Sequence, residues 1–340
     1  MTLEEIKLRR LAGQHLTRPA DTLTVAADLC GLQAQFLSAA CHALRIRGGE
    51  GTTGLVKTWT LRGTMHLAPE ADLPLYLRVR GTPEDVCDSP WYAWLCGHGY
   101  PLPPERARFF ARLITDGVAQ GTAEREALRA LCRAHGMTSE EEAHVFHSWG
   151  GSIAELCQAG VLCFQVRQEK MYRLCPPFTP LAVEQAELAL ARRYFTHYGP
   201  ATLRDAAYFF GVPQKRVKAW LAALEAEAFS CEGRDYFHLP TASDVPPMPP
   251  CLFLAGFDQL MLGYRKEDNP FLPPEHLRQV FGLTGIVAPA ILLHGRVVGR
   301  WKREPSRIAC AAFEPLSAAD RRLIARQGEA LWPETRLVWA

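Results

Sequence analysis

The chain has 340 residues, 48% of them hydrophobic, and its formal net charge is +2. This composition is that of a globular protein, and the length exceeds what one compact core usually holds, so two or more folding units are expected. The charge excludes binding to nucleic acid through a strong overall field, so any such binding has to use local basic patches.

The eleven cysteines do not predict a disulfide framework, because their number is odd and no Cys-x-x-Cys pair occurs. We expect no secretory leader, so reduced thiols in a cytoplasmic, nucleoid-associated protein are predicted. No apolar run approaches the ~18 residues of a membrane span. We therefore expect no membrane partner.

The first predicted domain, residues 1–98, holds two glutamines between two helices. A helix is predicted at residues 4–16, a short one ends at Gly31, and another runs from about Phe36 to Ile46. Gln33 and Gln35 are two positions apart, so their side chains diverge on a helix but project to the same side of an extended segment. If both amides serve one site, this segment must be extended. The alternating residues 56–60 and 62–67 then predict a hairpin, which completes the order of a winged helix.

The same order recurs in residues 99–178 and 179–245. In the second domain, Ser139 is predicted to cap one long helix that runs through Leu156. In the third, Gly211-Val212-Pro213 separates a helix at 203–210 from one at 214–224 that carries Lys215 and Arg216, which is typical of a helix-turn-helix. A helix-rich α+β fold with three tandem winged-helix domains is therefore predicted.

A proline-rich linker at residues 246–250 cannot be helical and predicts a further boundary. Beyond it, residues 246–340 predict a small C-terminal α+β unit. Its strands are expected at 251–257, 286–293 and 296–301, with a tight hairpin at His294-Gly295. Ser317 is predicted to cap the last helix.

Common catalytic signatures are missing from the sequence. Residues 49–54 match G-x-G-x-x-G, but a helix precedes them and a strand follows, which is the reverse of the dinucleotide-binding arrangement. His144 and His147 share one predicted helix face without a third ligand nearby, so a polar helix face is the better interpretation. We expect no metal ion or other cofactor.

Four segments remain, and each has an ordinary alternative. They are the glutamine pair, residues 62–66, residues 256–266 and the basic stretch 295–303. Taken singly, they are surface polar residues, hairpin side chains without a functional role, or a solvated strand end. Taken together with helix-turn-helix units, they suggest a basic channel around two neutral amides.

These segments resemble the AlkZ-like winged-helix DNA glycosylases, and the resemblance covers nearly the whole chain. Gly-Leu-Gln-Ala-Gln at 31–35 is similar to the family's Gln-aliphatic-Gln catalytic motif, although Ala34 is smaller than the usual branched residue. The other markers are Leu-Arg-Gly-Thr-Met-His at 61–66, Gly-Phe-Asp-Gln-Leu-Met-Leu-Gly-Tyr at 256–264 and Val-Gly-Arg-Trp-Lys at 298–302. A related branch carries Gln-aliphatic-Asp, so Gln35 places the chain with the first group.

The resemblance implies three winged helices arranged as a C-shaped channel around double-stranded DNA, with Gln33 and Gln35 as catalytic residues. An amide has no useful pKa near neutrality and can only orient a water, which suffices when an alkyl group at N7 or N3 has already made the purine a cationic leaving group. Thr64 and His66 are predicted to position the strand. The predicted phosphate contacts are Arg45, Arg47, Arg62, Lys215, Arg216, Arg265, Lys266, Arg300, Lys302 and Arg303.

The predicted activity is that of a monofunctional glycosylase for alkylated purines, in DNA repair or self-resistance. Bulky or interstrand-crosslinked adducts belong to the same prediction. We expect a monomer. The alternative is a non-catalytic winged-helix regulator that binds DNA through Lys215 and its neighbours.

Overall fold

The computed structural model describes residues 1–77, 79–240 and 245–339, and its fold is α+β and rich in helix. The helices are α1 (Leu3–Gly13), α2 (Thr22–Asp28), α3 (Leu37–Arg45), α4 (Leu73–Tyr76), α5 (Pro90–Gly97), α6 (Pro104–Ala119), α7 (Arg125–Ala134), α8 (Ser139–Val145), α9 (Gly151–Gln158), α10 (Val183–His197), α11 (Leu203–Phe210), α12 (Gln214–Ala223), α13 (Gln259–Leu262), α14 (Leu277–Val280) and α15 (Ala318–Leu331). The strands are β1 (Leu32–Gln33), β2 (Leu55–Trp59), β3 (Met65–Pro69), β4 (Leu162–Phe164), β5 (Tyr172–Leu174), β6 (Glu227–Cys231), β7 (Arg234–His238), β8 (Cys251–Phe253), β9 (Ala290–Leu293), β10 (Arg296–Arg303), β11 (Arg307–Ala312) and β12 (Arg336–Trp339). None of the described helices is long and apolar enough to cross a membrane.

The chain packs as two compact units. The first unit is discontinuous, formed by Met1–Thr52 with Leu188–Ala340, and the second is Thr53–Glu187. The division into domains 1–98, 99–178, 179–245 and 246–340 stays a prediction, as does the channel. Residues 78, 241–244 and 340 of these predicted domains lie outside the described residues.

The second unit is organised around α6. Pro104 opens this helix, where its missing N–H costs nothing. Phe110 and Ile114 lie on one face and are fully buried, packed against apolar side chains of α7 and α9. Strands β3, β2, β4 and β5 pair in that order, all antiparallel. The two hairpins that the sequence assigned to different domains therefore share one sheet.

The predicted long helix from Ser139 to Leu156 is wrong, because it is broken into α8 and α9. Gly150 and Gly151 have φ angles of 124° and 56° between them. A Cβ on Gly151 would lie 2.3 Å from the Val145 carbonyl oxygen, so only glycine fits this turn. His144 is also not on a polar face: it is fully buried and its Nδ1 lies 2.6 Å from the Tyr100 carbonyl oxygen.

The helix-turn-helix predicted in residues 203–224 is confirmed at the level of its elements. Thr202 and Asp205 form a capping box at the start of α11, and Gly211 ends that helix with a φ of 67°. α12 follows after Pro213. Lys215 and Arg216 are exposed on it, whereas Val217 and Trp220 are buried.

The first unit also contains the predicted C-terminal α+β part. Its sheet has the order β12-β11-β10-β9-β8, and only the outer pair of β11 and β12 is parallel. The predicted turn at His294-Gly295 is confirmed, with φ angles of 47° and 75° that fit a tight hairpin. α15, which Ser317 caps, packs on the face where Trp301 and Trp332 are buried. Strands β11 and β12 were not predicted.

Candidate active site and nucleic-acid interface

The segment with the two glutamines is not helical. α2 ends at Asp28, Cys30 and Gly31 follow at φ angles of 53° and 82°, and the Gly31 N–H donates to the Ala26 carbonyl at 2.8 Å. Leu32–Gln33 is a short strand, and α3 begins only at Leu37. The prediction that Gly31 ends the helix is confirmed. The predicted extended conformation of residues 33–35 is confirmed only at Gln33, because Gln35 lies in a bend.

The two amides have different exposures. Gln33 is 8% exposed, whereas Gln35 is exposed. Ala34 between them is fully buried, so a branched residue at this position would need extra space. Neither amide has a hydrogen bond or ion pair with any residue in the described part of the chain. Both side chains are thus available to a substrate or a water.

A buried polar network holds the backbone of this segment. The Gln259 amide nitrogen donates to the Gly31 carbonyl at 3.2 Å. The Tyr198 hydroxyl, fully buried, is 2.8 Å from the Leu29 carbonyl and 3.1 Å from Gln259 Oε1. The family resemblance included residues 256–264 but predicted no role for Gln259, and nothing in the sequence pointed to Tyr198.

Arg47 is wrong as a predicted DNA contact. Its side chain has no exposed area and forms a double hydrogen bond to Asp258, at 3.0 and 2.7 Å. Burial opposes ionisation of Asp258, but the Arg47 charge and the donated hydrogen bonds outweigh it, so the pKa of this carboxyl lies below its usual range. Asp258 in turn accepts from the Leu260 N–H and caps α13, the helix that begins with Gln259.

A cleft of about 560 Å³ lies beside the glutamine segment. Phe36, the residue after Gln35, is 47% exposed on its wall, where it stacks on Phe257 at 5.9 Å. Trp301 and Trp332 line another part, each about 5 Å from the His42 ring. The sequence alone did not reveal this cleft, because its walls come from five separate segments.

His42 is an uncharged member of the cleft. Burial lowers the pKa of His42 to about 4, although its hydrogen bond to the Phe253 carbonyl favours the charged form. A carbonyl oxygen can only accept, so Nε2, at 2.7 Å, carries the proton. Nδ1 is therefore an acceptor at neutral pH.

The cleft has a basic rim. Arg45 is exposed, although its guanidinium donates to the Leu331 carbonyl. Lys302 is 78% and Arg303 49% exposed at the side chain, and Arg303 lies 2.9 Å from Glu334. Arg300, two residues before Lys302, is exposed on β10 and makes no ion pair within the described ranges. Alternation along the strand points Arg300 and Lys302 to one face and Trp301 to the other.

Arg265 and Lys266 have acidic neighbours that compete with phosphate. Arg265 lies 3.2 Å from Glu267 and 3.8 Å from Asp268, and Lys266 lies 4.0 Å from Glu267. These pairs leave little free positive charge at this point of the surface. A phosphate contact there stays a prediction.

Thr64, His66 and Arg62 belong to the second unit, whereas Gln33 and Gln35 belong to the first. Arg62 lies in a 3-10 turn between β2 and β3 with a φ of 55°, which is why β3 begins at Met65 and not at residue 62. The Thr64 hydroxyl donates to the Leu61 carbonyl at 3.0 Å. The roles of Thr64 and Arg62 stay predictions.

His66 is only 2% exposed, and its predicted role in positioning the DNA strand stays a prediction. Its Nδ1 lies 2.8 Å from the Thr60 hydroxyl and 3.1 Å from the Thr64 carbonyl. Burial, with a smaller effect of Arg62, lowers the pKa of His66 to about 3, so the ring is neutral. It stabilises the hairpin from inside.

Comparisons with known proteins point to one kind of enzyme. A family model described as "DNA glycosylase AlkZ-like" matches residues 26–332. A curated protein of Streptomyces sahachiroi, named "Interstrand DNA cross-link repair glycosylase", is 26% identical over 319 residues, which cover 85% of this chain and 84% of that protein. A solved structure, the S. sahachiroi DNA glycosylase AlkZ, superposes with a TM-score of 0.78 at 22% identity and covers 100% of this chain and 99% of its own.

Proposed function

The chain belongs to the AlkZ-like DNA glycosylase family, and on that premise we propose that it hydrolyses the N-glycosidic bond of DNA purines alkylated at N7 or N3. The observation that carries this proposal is the pair of side-chain amides at Gln33 and Gln35, which lie in a non-helical segment and have no hydrogen-bond partner among the described residues. It offers two neutral amides and no acid or base. The substrate therefore has to supply its own activation.

The reaction uses water as its nucleophile. An amide oxygen of Gln33 or Gln35 accepts a hydrogen bond from a water and aims its oxygen at C1′ of the sugar. The bond from C1′ to N9 breaks, and its electron pair neutralises the cationic purine, which leaves without needing a proton from the enzyme. The water loses its proton to solvent after attack. A transition state with oxocarbenium character is favoured by nearby amide oxygens, by analogy with glycoside hydrolysis.

The cleft beside Phe36 supports a substrate larger than a methylated base. The relative in S. sahachiroi is named for interstrand cross-links, and we extend that substrate class to this chain. Phe36, Phe257 and Trp301 present aromatic surface for a planar adduct, and the rim carries Arg45 and Lys302 for the phosphates around it. A non-catalytic regulator would need neither the glutamines nor this cleft.

The test uses a duplex with one 7-methylguanine and an undamaged duplex of the same sequence. The full chain is expected to produce alkali-labile abasic sites from the damaged duplex only. The double variant Gln33→Ala, Gln35→Ala should lower the single-turnover rate by at least about 100-fold. Removing one group that transfers a proton or stabilises charge in the transition state commonly has an effect of this size. Binding to undamaged DNA, measured by fluorescence anisotropy, should change little.

The matched control is Gln120→Ala, which removes an exposed glutamine at the end of α6. It should have the wild-type rate. If the double variant releases 7-methylguanine as fast as the control, the two amides do not hold the water. If the wild-type chain binds both duplexes and cleaves neither, the regulator interpretation replaces the glycosylase.

A further inference from the structure

Three helices of the first unit meet at Asp28, the last residue of α2. His15 follows α1, and its Nε2 lies 2.8 Å from Asp28 Oδ2. His197 ends α10, and its Nε2 lies 3.3 Å from Asp28 Oδ1. One nitrogen of each ring and the carboxylate all lie within 4.8 Å of one another. The carboxylate thus presents one oxygen to each imidazole.

The contacts of the two rings suit a proton on Nδ1 of each. His15 Nδ1 lies 3.3 Å from the Arg18 carbonyl oxygen, and His197 Nδ1 lies 3.1 Å from that of Gly13. Because a carbonyl oxygen only accepts, an Nδ1–H of each ring can donate there. In that tautomer of the neutral ring, Nε2 is a lone pair that faces a carboxylate oxygen, which is also an acceptor. A proton or a cation between Nε2 and the carboxylate completes this arrangement.

Extra protons are the less favourable solution. Two imidazolium rings would repel each other, since their centres are 5.8 Å apart. A single cation bound by both lone pairs and the carboxylate avoids this repulsion.

The geometry fits a single metal ion. Two ligand atoms that are each about 2.0–2.1 Å from one ion, at angles of about 90–110°, lie roughly 2.9–3.4 Å apart. The distances of 2.8 and 3.3 Å from Asp28 to the two rings are close to this range. An Nδ1–H that donates to a backbone carbonyl is also the usual way in which proteins orient a metal-binding imidazole.

The site is accessible to solvent, and the charged residues around it have other partners. The side chains of His15, Asp28 and His197 are 14%, 22% and 20% exposed. Both histidines line a cleft of about 350 Å³, which leaves room for water ligands. Arg18 and Arg193, which lie nearby, have interactions of their own. Within the described residues, Asp28 has no arginine or lysine as an ion-pair partner.

We propose that His15, Asp28 and His197 bind a divalent transition-metal ion of the zinc class, with water completing its coordination. Two imidazoles and one carboxylate suit such an ion, whereas Ca²⁺ and Mg²⁺ prefer oxygen ligands throughout. The site was not predicted, because its three ligands lie at the ends of three separate helices. The ion would tie α1, α2 and α10 together just before the glutamine segment.

A second cluster of the same residue types serves as a contrast. Glu275, His276 and Glu314 also place one atom each within 4.8 Å of one another. Arg296 lies 3.3 Å from Glu275 and 3.7 Å from Glu314, so a guanidinium already balances these carboxylates. No metal is needed there.

The test is a titration of the untagged full chain, freed of metal with a chelator, with Co²⁺ as a visible probe and Zn²⁺ as competitor. One equivalent is expected to give ligand-field absorption, which Zn²⁺ abolishes, and to raise the melting temperature. His197→Gln should weaken Co²⁺ affinity about tenfold or more. The matched control His276→Gln, in the second cluster, should bind like the wild type.

A readout on the wild-type chain covers the case in which His197→Gln does not fold. In ¹H–¹⁵N spectra of the imidazoles, Zn²⁺ should shift Nε2 of two of the eleven histidines, and a folded Asp28→Asn variant should lose that response. Absence of Co²⁺ absorption, or equal affinity in His197→Gln and wild type, overturns the proposal. Activity on alkylated DNA is a separate measurement, so failure of the glycosylase proposal leaves this one intact.

Discussion

Arg47 and Lys302 carry the same charge in the same unit, and the sequence predicted the same role for both. Arg47 has no exposed side-chain area and is paired with Asp258 at 2.7 Å. Lys302 is 78% exposed, and the closest of its charged partners is 3.8 Å away. A buried arginine cannot lose its proton and so requires a carboxylate, whereas an exposed lysine needs no partner.

The difference separates two tasks near the glutamines. The pair of Arg47 and Asp258 lies at the base of a chain of hydrogen bonds: Asp258 caps α13, and Gln259 in that helix holds the Gly31 carbonyl. The exposed Arg300 and Lys302 of β10 take no part in this network, and their contact with phosphates stays a prediction. Buried charge therefore fixes the glutamine segment, whereas the exposed charge is the part that we propose for DNA.

The largest expected effect comes from breaking the buried pair. Asp258→Ala leaves the Arg47 charge buried without a partner, which is expected to lower the free energy of unfolding by about 3–5 kcal/mol. Urea denaturation measures this change. Loss of the α13 cap should also increase hydrogen exchange at the Gly31 amide.

The control for this variant is Glu267→Ala, which removes a partly exposed carboxylate 3.2 Å from Arg265. Its expected cost is within about 0.5 kcal/mol, as for other surface pairs. A loss below about 1 kcal/mol for Asp258→Ala would mean that Arg47 reaches solvent on its own.

A somewhat smaller effect is expected at His42, whose ring is neutral because it is buried, whereas Arg47 stays charged and is paired with a carboxylate. The pKa of His42 is lowered by burial to about 4 from 6.5. Between these values the unfolded chain binds more protons than the folded chain, so the contribution of His42 to stability is complete above pH 6.5 and is lost as the pH falls toward 4. The expected loss is about 3 kcal/mol.

His42→Phe removes this titration. The difference in unfolding free energy between wild type and His42→Phe should be constant above about pH 7 and should shift by about 3 kcal/mol in favour of the variant at pH 4. The measurements above pH 7 serve as the internal control. Parallel curves over the whole range would show that His42 is protonated in the folded chain.

The elements that local signals specify were predicted well. Thr202, Gly211 and Ser317 mark helix ends by caps and a positive φ, and His294-Gly295 marks a tight turn, so these boundaries agree with the structure. The long helix through residues 139–156 failed because its apolar spacing continues across Gly150 and Gly151, and spacing does not register a break in φ.

The candidate site was predicted only in part, for a similar reason. The extended Gln33 follows from the chain itself, because Gly31 ends α2 immediately before it. The burial of Arg47 and His66 follows from residues distant in the sequence, as do the aromatic cleft and the cluster around Asp28. A single sequence gives the type of a charged residue but not its environment.

The smallest effect on stability, and the sharpest test of the comparison, is expected for Arg300→Ala combined with Lys302→Ala. Both side chains are exposed on one face of β10, so unfolding free energy should change by less than about 0.5 kcal/mol. DNA affinity should fall alike for damaged and undamaged duplexes. The slope of log affinity against log salt should become shallower by about 2, one counterion per lost phosphate contact.

Arg296→Ala is the matched control, because Arg296 is exposed on the same strand but is already paired with Glu275 and Glu314. Its salt slope should equal that of the wild type. If the salt slope of the double variant equals that of the wild type, and the slope of Arg296→Ala is shallower, the phosphates lie at the other end of β10. Exposure alone would then be a poor guide to which cations bind DNA, and the carboxylates beside Arg296 would have to move when DNA binds.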